Sequence, residues 1–407
     1  MRTRPGVMEM IRRTQRQGVA DTGKRVVRRL YSRMDAASLE FPLLEEDIAD
    51  SSRLRPFAGP VPGRSSPTLT VGWVCTPPSP GSGGHTTLFR MVAGLERQGH
   101  RCVVYLYDRN GGDLQRHVSL IRRFWPDLKA EIRDATKGLV GADAYVASSW
   151  ESAHVIASRA GDAAARLYFI QDFEPFFYPR GTLYAMAEDS YRFGFRNIAL
   201  GEMVARELEE IGVDCVRAPF GCDTSVYSLT NETGRRSGVV YYTKPGSDRR
   251  GYILGRLALE EFHRRHPEEP VHLYGDAGDD WKIPTVQHGR LSPEELNTLY
   301  NGTKAGLAIS FTNITLVAEE MLAAGNIPVV TQVPHARAVL PNENVVWARP
   351  TPGSLADALC SAVEAPTSPE RRADIARSVR QGWGPTLDAV ADAITRAVGH
   401  RADEPSL

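Results

Sequence analysis

Cysteine is sparse in this 407-residue chain. The five cysteines (Cys75, Cys102, Cys215, Cys222, Cys360) are scattered, odd in number and without a CxxC pair. That excludes a disulfide framework or a zinc knuckle and points to a reducing cytosol. Long hydrophobic runs are missing too. No stretch approaches the ~18 apolar residues that cross a bilayer, and no signal-peptide h-region opens the chain. A cytoplasmic protein, at most peripheral to the inner face of the plasma membrane, is expected. Net charge is absent as well: 49 Lys and Arg balance 49 Asp and Glu, which argues against a nucleic-acid partner held by bulk charge. There is no DxD triplet and no His/Cys cluster at metal-ligand spacing, so no metal site is expected.

What is present is a soluble composition, 42% hydrophobic and 24% charged, with length enough for two domains. The charge is unevenly placed. Ten Arg and Lys lie within residues 1–34 against only Glu9 and Asp21. This segment reads either as an interfacial helix drawn to an anionic membrane surface or as a solvated tail. With the Pro/Gly/Ser tract RPFAGPVPGRSSP it makes an N-terminal extension and linker, 1–66.

From Thr68 onward short apolar runs alternate with helical patterns: TLTVGWV, a helix His85–Gln98, CVVYLYD, DAYVASSW, a helix after Glu151, RLYFIQDF, NIALG, a helix Glu202–Ile211 and CVRAPFG. A polar break, SLTNETGRRSG, interrupts the series. It restarts with VVYYTK, a helix over 251–266, VHLYG, VQHG, a helix over 292–301, AGLAIS, a helix over 316–325, IPVVT and VVWA. Such alternation predicts parallel sheets covered on both faces. The fold class is therefore α/β, two Rossmann-like domains (67–230 and 238–368) facing across a cleft. Helical patterns near 354–364 and 370–397 follow, and the last segment, 369–400, is expected to pack back toward the first domain.

Ligands of open parallel sheets bind beyond the carboxyl ends of the strands, so the loops there carry the candidates. PPSPGSGGH joins the first strand to a helix, and its Gly83 and Gly84 free backbone N–H groups for an anion or polar substrate. Thr86 stands where a GxGxxG fingerprint needs its third glycine, and only Asp108 follows the second strand as a candidate ribose ligand. The signal is for phosphate rather than NAD, against the alternative of a glycine-rich surface turn. TKPGSDRRG presents Lys244, Arg249 and Arg250, either a diphosphate clamp or a solvated loop. SFTNITLVAEE offers loop N–H groups at Thr312, Asn313, Ile314 and Thr315, then Glu319 and Glu320 on a helix. One of two adjacent helix glutamates is expected to face solvent, leaving one as a ribose or deoxyribose ligand.

At this point the sequence resembles a family. HGRLSPEELNTLYNGTKAGLAISFTNITLVAEEMLAAGNIPVV is similar to the donor-binding half of retaining glycosyltransferases of family 4. IALGEMVARELEEIGVDCVRAPFGCDTSVY matches their segment ending in Gly221, Asp223 and Tyr227. YFIQDFEPFFYPRG and YYTKPGSDRRGYILGRLALEEF resemble the WsaF-type rhamnosyltransferases in particular. The likeness runs over roughly residues 68–395 and implies the GT-B architecture.

It further implies that Glu320 binds the pentose of a nucleotide sugar. Lys244 and Arg249 grip the diphosphate, with Lys244 where arginine is usual, keeping the charge but not the bidentate fork. The stretch His288, Gly289 and Leu291 flanks the base. Thr312 replaces a glutamate that faces the sugar in many members, and one extra residue lies between Gly325 and Pro328. The implied activity is metal-independent transfer of a sugar, rhamnose or another deoxysugar from a dTDP-linked donor, to a glycan, glycolipid or small-molecule hydroxyl. Configuration is retained, and the β-phosphate oxygen takes the acceptor proton. No cofactor beyond the nucleotide-sugar co-substrate is implied.

On the acceptor side the candidates are His85, Asp172 and Glu174, with His154 and the aromatics Phe173, Phe176, Phe177 and Tyr178. For each, a structural or packing role is the alternative. The competing functions are a non-catalytic sugar-binding protein on the same fold and a Rossmann oxidoreductase.

Overall fold

Strand β1 (Thr70–Cys75) is buried along all but its first residue, the pattern of a parallel strand covered on both faces. It is followed by α1 (Gly83–Arg97), β2 (Arg101–Leu106), α2 (Leu114–Phe124), β3 (Glu131–Asp134), β4 (Ala144–Ala147), α3 (Trp150–Arg159) and β5 (Ala165–Ile170). Then come α4 (Thr182–Ser190), β6 (Arg196–Leu200), α5 (Glu202–Glu210) and β7 (Val216–Ala218). Among the described residues these strands form one seven-stranded sheet in the order β3-β2-β1-β4-β5-β6-β7, parallel throughout. The description comes from a computed structural model that covers residues 41–54, 68–161, 164–276, 278, 280–313, 316–366, 368–379 and 382–399. The basic segment 1–34 and the tract RPFAGPVPGRSSP lie outside the described residues.

The second half repeats the plan with β8 (Val239–Thr243), α6 (Tyr252–Arg265), β9 (Val271–Gly275), β10 (Val286–Gln287), α7 (Pro293–Gly302), β11 (Ala305–Ala308) and α8 (Leu316–Ala323). It continues with β12 (Ile327–Thr331), α9 (Ala336–Val339), β13 (Val346–Ala348) and α10 (Pro352–Glu364). Its parallel sheet runs β10-β9-β8-β11-β12-β13. Sequence signals set several helix starts. Ser292 caps α7 through a reciprocal box with Glu295, and Pro293 takes the first turn, where its missing N–H costs nothing. Both halves lie within Ala49–Leu407, one of two compact units, the other being Met1–Ile48.

In each sheet the strand order reverses once, between β1 and β4 and between β8 and β11. Loops leaving adjacent strands on opposite sides of such a point splay apart and open a crevice. The loops after β8 and β11 are Lys244–Gly251 and Ile309–Asn313, which are the segments singled out by residue type.

The polar break between halves is pinned rather than loose. Backbone N–H groups of Ser228, Thr230 and Asn231 donate to the side chains of Asn297 and Asn301 on α7. Arg236, 3% exposed, donates to the carbonyls of Ala324 and Gly325. The expected helix 370–397 is two helices, α11 (Pro369–Arg377) and α12 (Gly384–Gly399). Gly382 and Pro385 account for the restart, since proline fits the first turn of a helix but not its interior. α11 packs on α8 of the second domain, whereas α12 buries Val390, Ala393 and Ile394 in the core of the first. The returning segment crosses the linker closely: a Cβ at Gly221 would stand 2.9 Å from the Gly382 carbonyl oxygen.

Candidate functional site

The loop after β8 is shaped by one backbone turn. Asp248–Arg250 form a 3-10 turn that ends at Gly251, whose φ of 62° lies in the left-handed region. A Cβ there would lie 2.5 Å from Ile309 Cγ2, so this turn and the end of β11 approach as closely as glycine permits. The turn sets Arg249 and Arg250 side by side. Arg250 Nη1 donates to Ser310 Oγ at 3.2 Å. Burial, reinforced by Arg249, lowers the Arg250 guanidinium to about 10, so it stays charged at neutral pH. Burial and the two arginines also lower the Lys244 ammonium below its ordinary value. Three mutually repelling cations therefore stand at the mouth of the second sheet. Lys244 and Arg249 were the pair selected from sequence; Arg250 is the more deeply seated arginine.

The loop after β11 and helix α8 form the opposite wall. Thr312 and Asn313 are buried, and Ile314 and Thr315 lie outside the described residues. Glu319 and Glu320 depart from the expectation that one faces solvent. Both are partly buried, and the Glu319 Oε2 atom is enclosed without a hydrogen-bond partner. The cause is that α8 is packed on several sides, by β12, α7 and α11. Burial pushes the Glu319 carboxyl up to about 7 and that of Glu320 to about 8. The Arg90 charge pulls Glu320 back down, while Glu319 and Asp223 push it further up. Arg90 of α1 also pairs with Asp223 of the linker at 3.0 Å and lies 4.8 Å over the Trp383 ring. Arg90 was missed from sequence, because its partner lies 133 residues away.

Beside Glu320 lies a tyrosine cluster. Tyr274 and Tyr300 share a hydrogen bond of 2.8 Å, and Tyr227 packs on Tyr300. Leu291 packs against this cluster. Gly289 accepts the Gly275 N–H at 2.8 Å. His288 stacks on His272, with a ring-nitrogen contact of 3.0 Å at the sheet edge.

Across the cleft several expectations change. His85 does not present a free ring nitrogen: Nε2 meets the Thr76 carbonyl at 3.0 Å and Nδ1 meets Ser82 Oγ at 2.8 Å. Only the Nε2–H tautomer serves both contacts, and burial lowers the imidazole pKa, which keeps it neutral. His154 is likewise structural, held by the Ala49 N–H and the Met186 carbonyl, with burial taking it down to about 4. Glu174 is 5% exposed, and its Oε2 accepts the Trp150 N–H at 2.7 Å at the start of α3. Burial and the nearby Glu151 raise its carboxyl well above the ordinary range, and its Oε2 is engaged at the start of α3. Asp108 is spent on the N–H groups of Asn110 and Gly112 and on His117. Gly83 and Gly84 open α1 behind the Ser82 cap, with Gly84 facing Gln171.

Asp172 is the largest departure. It does not stay on its own side but reaches the second domain, accepting from Thr312 Oγ1 at 2.9 Å and from Asn313 N at 2.7 Å. Arg249 Nη1 lies 3.5 Å from it and stands over the Phe177 ring at 4.6 Å. Asn313 Nδ2 answers by donating to the carbonyls of Gln171 and Leu200. Among the described residues no group of three or more His, Cys, Asp or Glu is placed to hold a metal ion. Nor is any described helix long and apolar enough to cross a membrane.

Two Rossmann-like parallel sheets, the second with cations on its switch-point loops and joined there to the segment that follows β5, define the GT-B fold. Known proteins agree. Residues 133–203 match the family model "WsaF, N-terminal domain", and residues 249–383 match "Glycosyl transferase-like". The O-antigen biosynthesis protein RfbC of Myxococcus xanthus is 27% identical over 343 residues, 78% of this chain but 26% of the relative. The chain thus spans about a quarter of that relative's length.

In fold, it resembles HepE of Anabaena, solved with UDP and glucose, at TM-score 0.63 and 14% identity over 81% of this chain and all of that one. TarM of S. aureus, solved as a point mutant with UDP, Fondaparinux and alpha-GlcNAc-glycerol, gives 0.65 and 7% over 80% of this chain and all of that one. WaaG, a glycosyltransferase involved in lipopolysaccharide biosynthesis, gives 0.54 and 14% over 80% of this chain and 99% of that one. The fold is GT-B, and the sequence matches support a glycosyltransferase.

Proposed function

We propose that this chain is a retaining glycosyltransferase whose second domain binds a nucleoside diphosphate sugar. The best donor on this reading is a dTDP-linked rhamnose or other deoxysugar, and the acceptor a hydroxyl of a glycan, glycolipid or small molecule. The carrying observation is the set of three cations, Lys244, Arg249 and Arg250, at the switch point of the second sheet, with Glu320 on the helix that follows β11. Preorganised cations are worth most where charge develops during reaction, here on the departing diphosphate. As the bond from the anomeric carbon to the β-phosphate oxygen breaks, the acceptor oxygen bonds to that carbon from the same face. Its proton passes to a β-phosphate oxygen, so no protein base is required. Glu320, ionised, accepts hydrogen bonds from the sugar hydroxyls of the nucleoside.

A second reading is a non-catalytic sugar-nucleotide-binding protein. It is favoured by Thr312, which stands where a sugar-facing carboxylate is expected and is engaged by Asp172. Thermal melts with dTDP-rhamnose, other dTDP-sugars, UDP-sugars, GDP-sugars and NAD, followed by hydrolysis and transfer assays, separate the readings. At least one nucleotide sugar is expected to raise Tm by several degrees and to be turned over. Stabilisation by NAD alone contradicts both readings; stabilisation without turnover favours the second.

A further inference from the structure

Three hydrogen-bond donors of the second domain converge on one carboxylate of the first. Thr312 Oγ1 and Asn313 N donate to the two oxygens of Asp172, and the Arg249 guanidinium lies 3.5 Å away. A guanidinium, a hydroxyl and a backbone N–H aimed at one point form an oxyanion receptor. All three belong to the two loops that flank the switch point between β8 and β11. We propose that this receptor is a subsite for a phosphate oxygen of the donor, and that Asp172 is its intramolecular occupant, which the donor displaces on binding.

The proposal rests on the donor-site reading above and sharpens it. Asp172 is a poor permanent occupant. Burial raises its carboxyl pKa against the pull of Arg249 and Arg250, so its charge is held there at a desolvation cost. Nor does Asp172 satisfy every group around it. Asn313 is 4% exposed, its Nδ2 is fixed by two carbonyls, and its Oδ1 has no partner. That atom accepts from a hydroxyl and cannot accept from a carboxylate. A ligand with an anionic oxygen and a neighbouring hydroxyl, as in a sugar phosphate, satisfies both the receptor and Asn313. Thr312, a hydroxyl donor where a glutamate would repel phosphate, suits the same ligand.

Asp172 and the phosphate compete for one set of donors, so removing the carboxylate strengthens binding of the nucleotide. The test is calorimetric titration of UDP and of dTDP into the full chain and four variants. These are Asp172→Ala, Asp172→Asn, Arg249→Ala and the Asp172→Ala/Arg249→Ala double variant. The near-isosteric Asn variant keeps the fold if the Ala variant does not, and a melt of each establishes this.

About tenfold tighter binding is expected in both Asp172 variants for whichever nucleotide the wild type prefers. The gain disappears when Arg249 is also removed. Equal or weaker binding in both Asp172 variants overturns the proposal and leaves Asp172 as a tie between domains. If neither the wild type nor any variant binds either nucleotide, the proposal fails together with the reading of a uridine- or thymidine-linked donor.

Discussion

Glu320 carries two pH effects of opposite sign. Its carboxyl titrates near 8 in the folded chain against an ordinary value near 4.5. Between those values the folded form holds more protons than the unfolded one, so stability falls as pH rises through the window. Replacement by glutamine removes that contribution. The Tm of Glu320→Gln is expected to fall less than that of the wild type between pH 5.5 and 8.5, by several degrees. Identical slopes contradict the burial of this carboxyl. Donor affinity runs the other way, because an ionised carboxylate is the stronger acceptor for hydroxyls. It rises toward pH 8 in the wild type and is flat in the variant. Glu320 was legible by its place in a recognisable stretch. Asp172 was named but its reach into the second domain was not, and Arg90 was not named at all, since their partners lie 140 and 133 residues away and no local pattern encodes such a pairing. For His85 and Glu174, residue type shows chemistry but not that a neighbour already engages it.

At the scale of elements, the turn between β8 and α6 fixes the arginines. Gly251→Ala places a methyl group against Ile309 in a left-handed backbone. The strain is about 1–2 kcal/mol and the overpacking about 1–3 kcal/mol, so a clear loss in chemical denaturation is expected. Gly83→Ala is the control, since a Cβ there meets nothing within 4 Å and its φ is ordinary. It should change stability by less than about 0.5 kcal/mol. Equal effects of the two substitutions contradict the described turn. Alternating buried runs made most strands readable, because strands covered on both faces are continuously apolar. The elements not read were α2, β3, α4 and α9. β3, with the sequence EIRD, is an edge strand with a single apolar residue, and its place comes from pairing with β2 rather than from its own composition.

For the whole molecule, the two sheets and the return of α12 to the first domain bring loops far apart in sequence to one cleft. The division into two α/β halves was visible from the single polar break. Which loops would face each other was not, because it depends on strand order. In the proposed function the donor sits on the second domain at its switch point. Hydrogen exchange of the full chain, with and without the nucleotide sugar that gives the largest thermal shift, tests this most directly. Protection is expected in the loops after β8 and β11, along α8 and around Gly289, with smaller changes near Asp172 as its bonds to Thr312 and Asn313 are exchanged for the ligand's. Protection confined to the Gly81–His85 loop and the rest of the first domain, with the second unchanged, contradicts it.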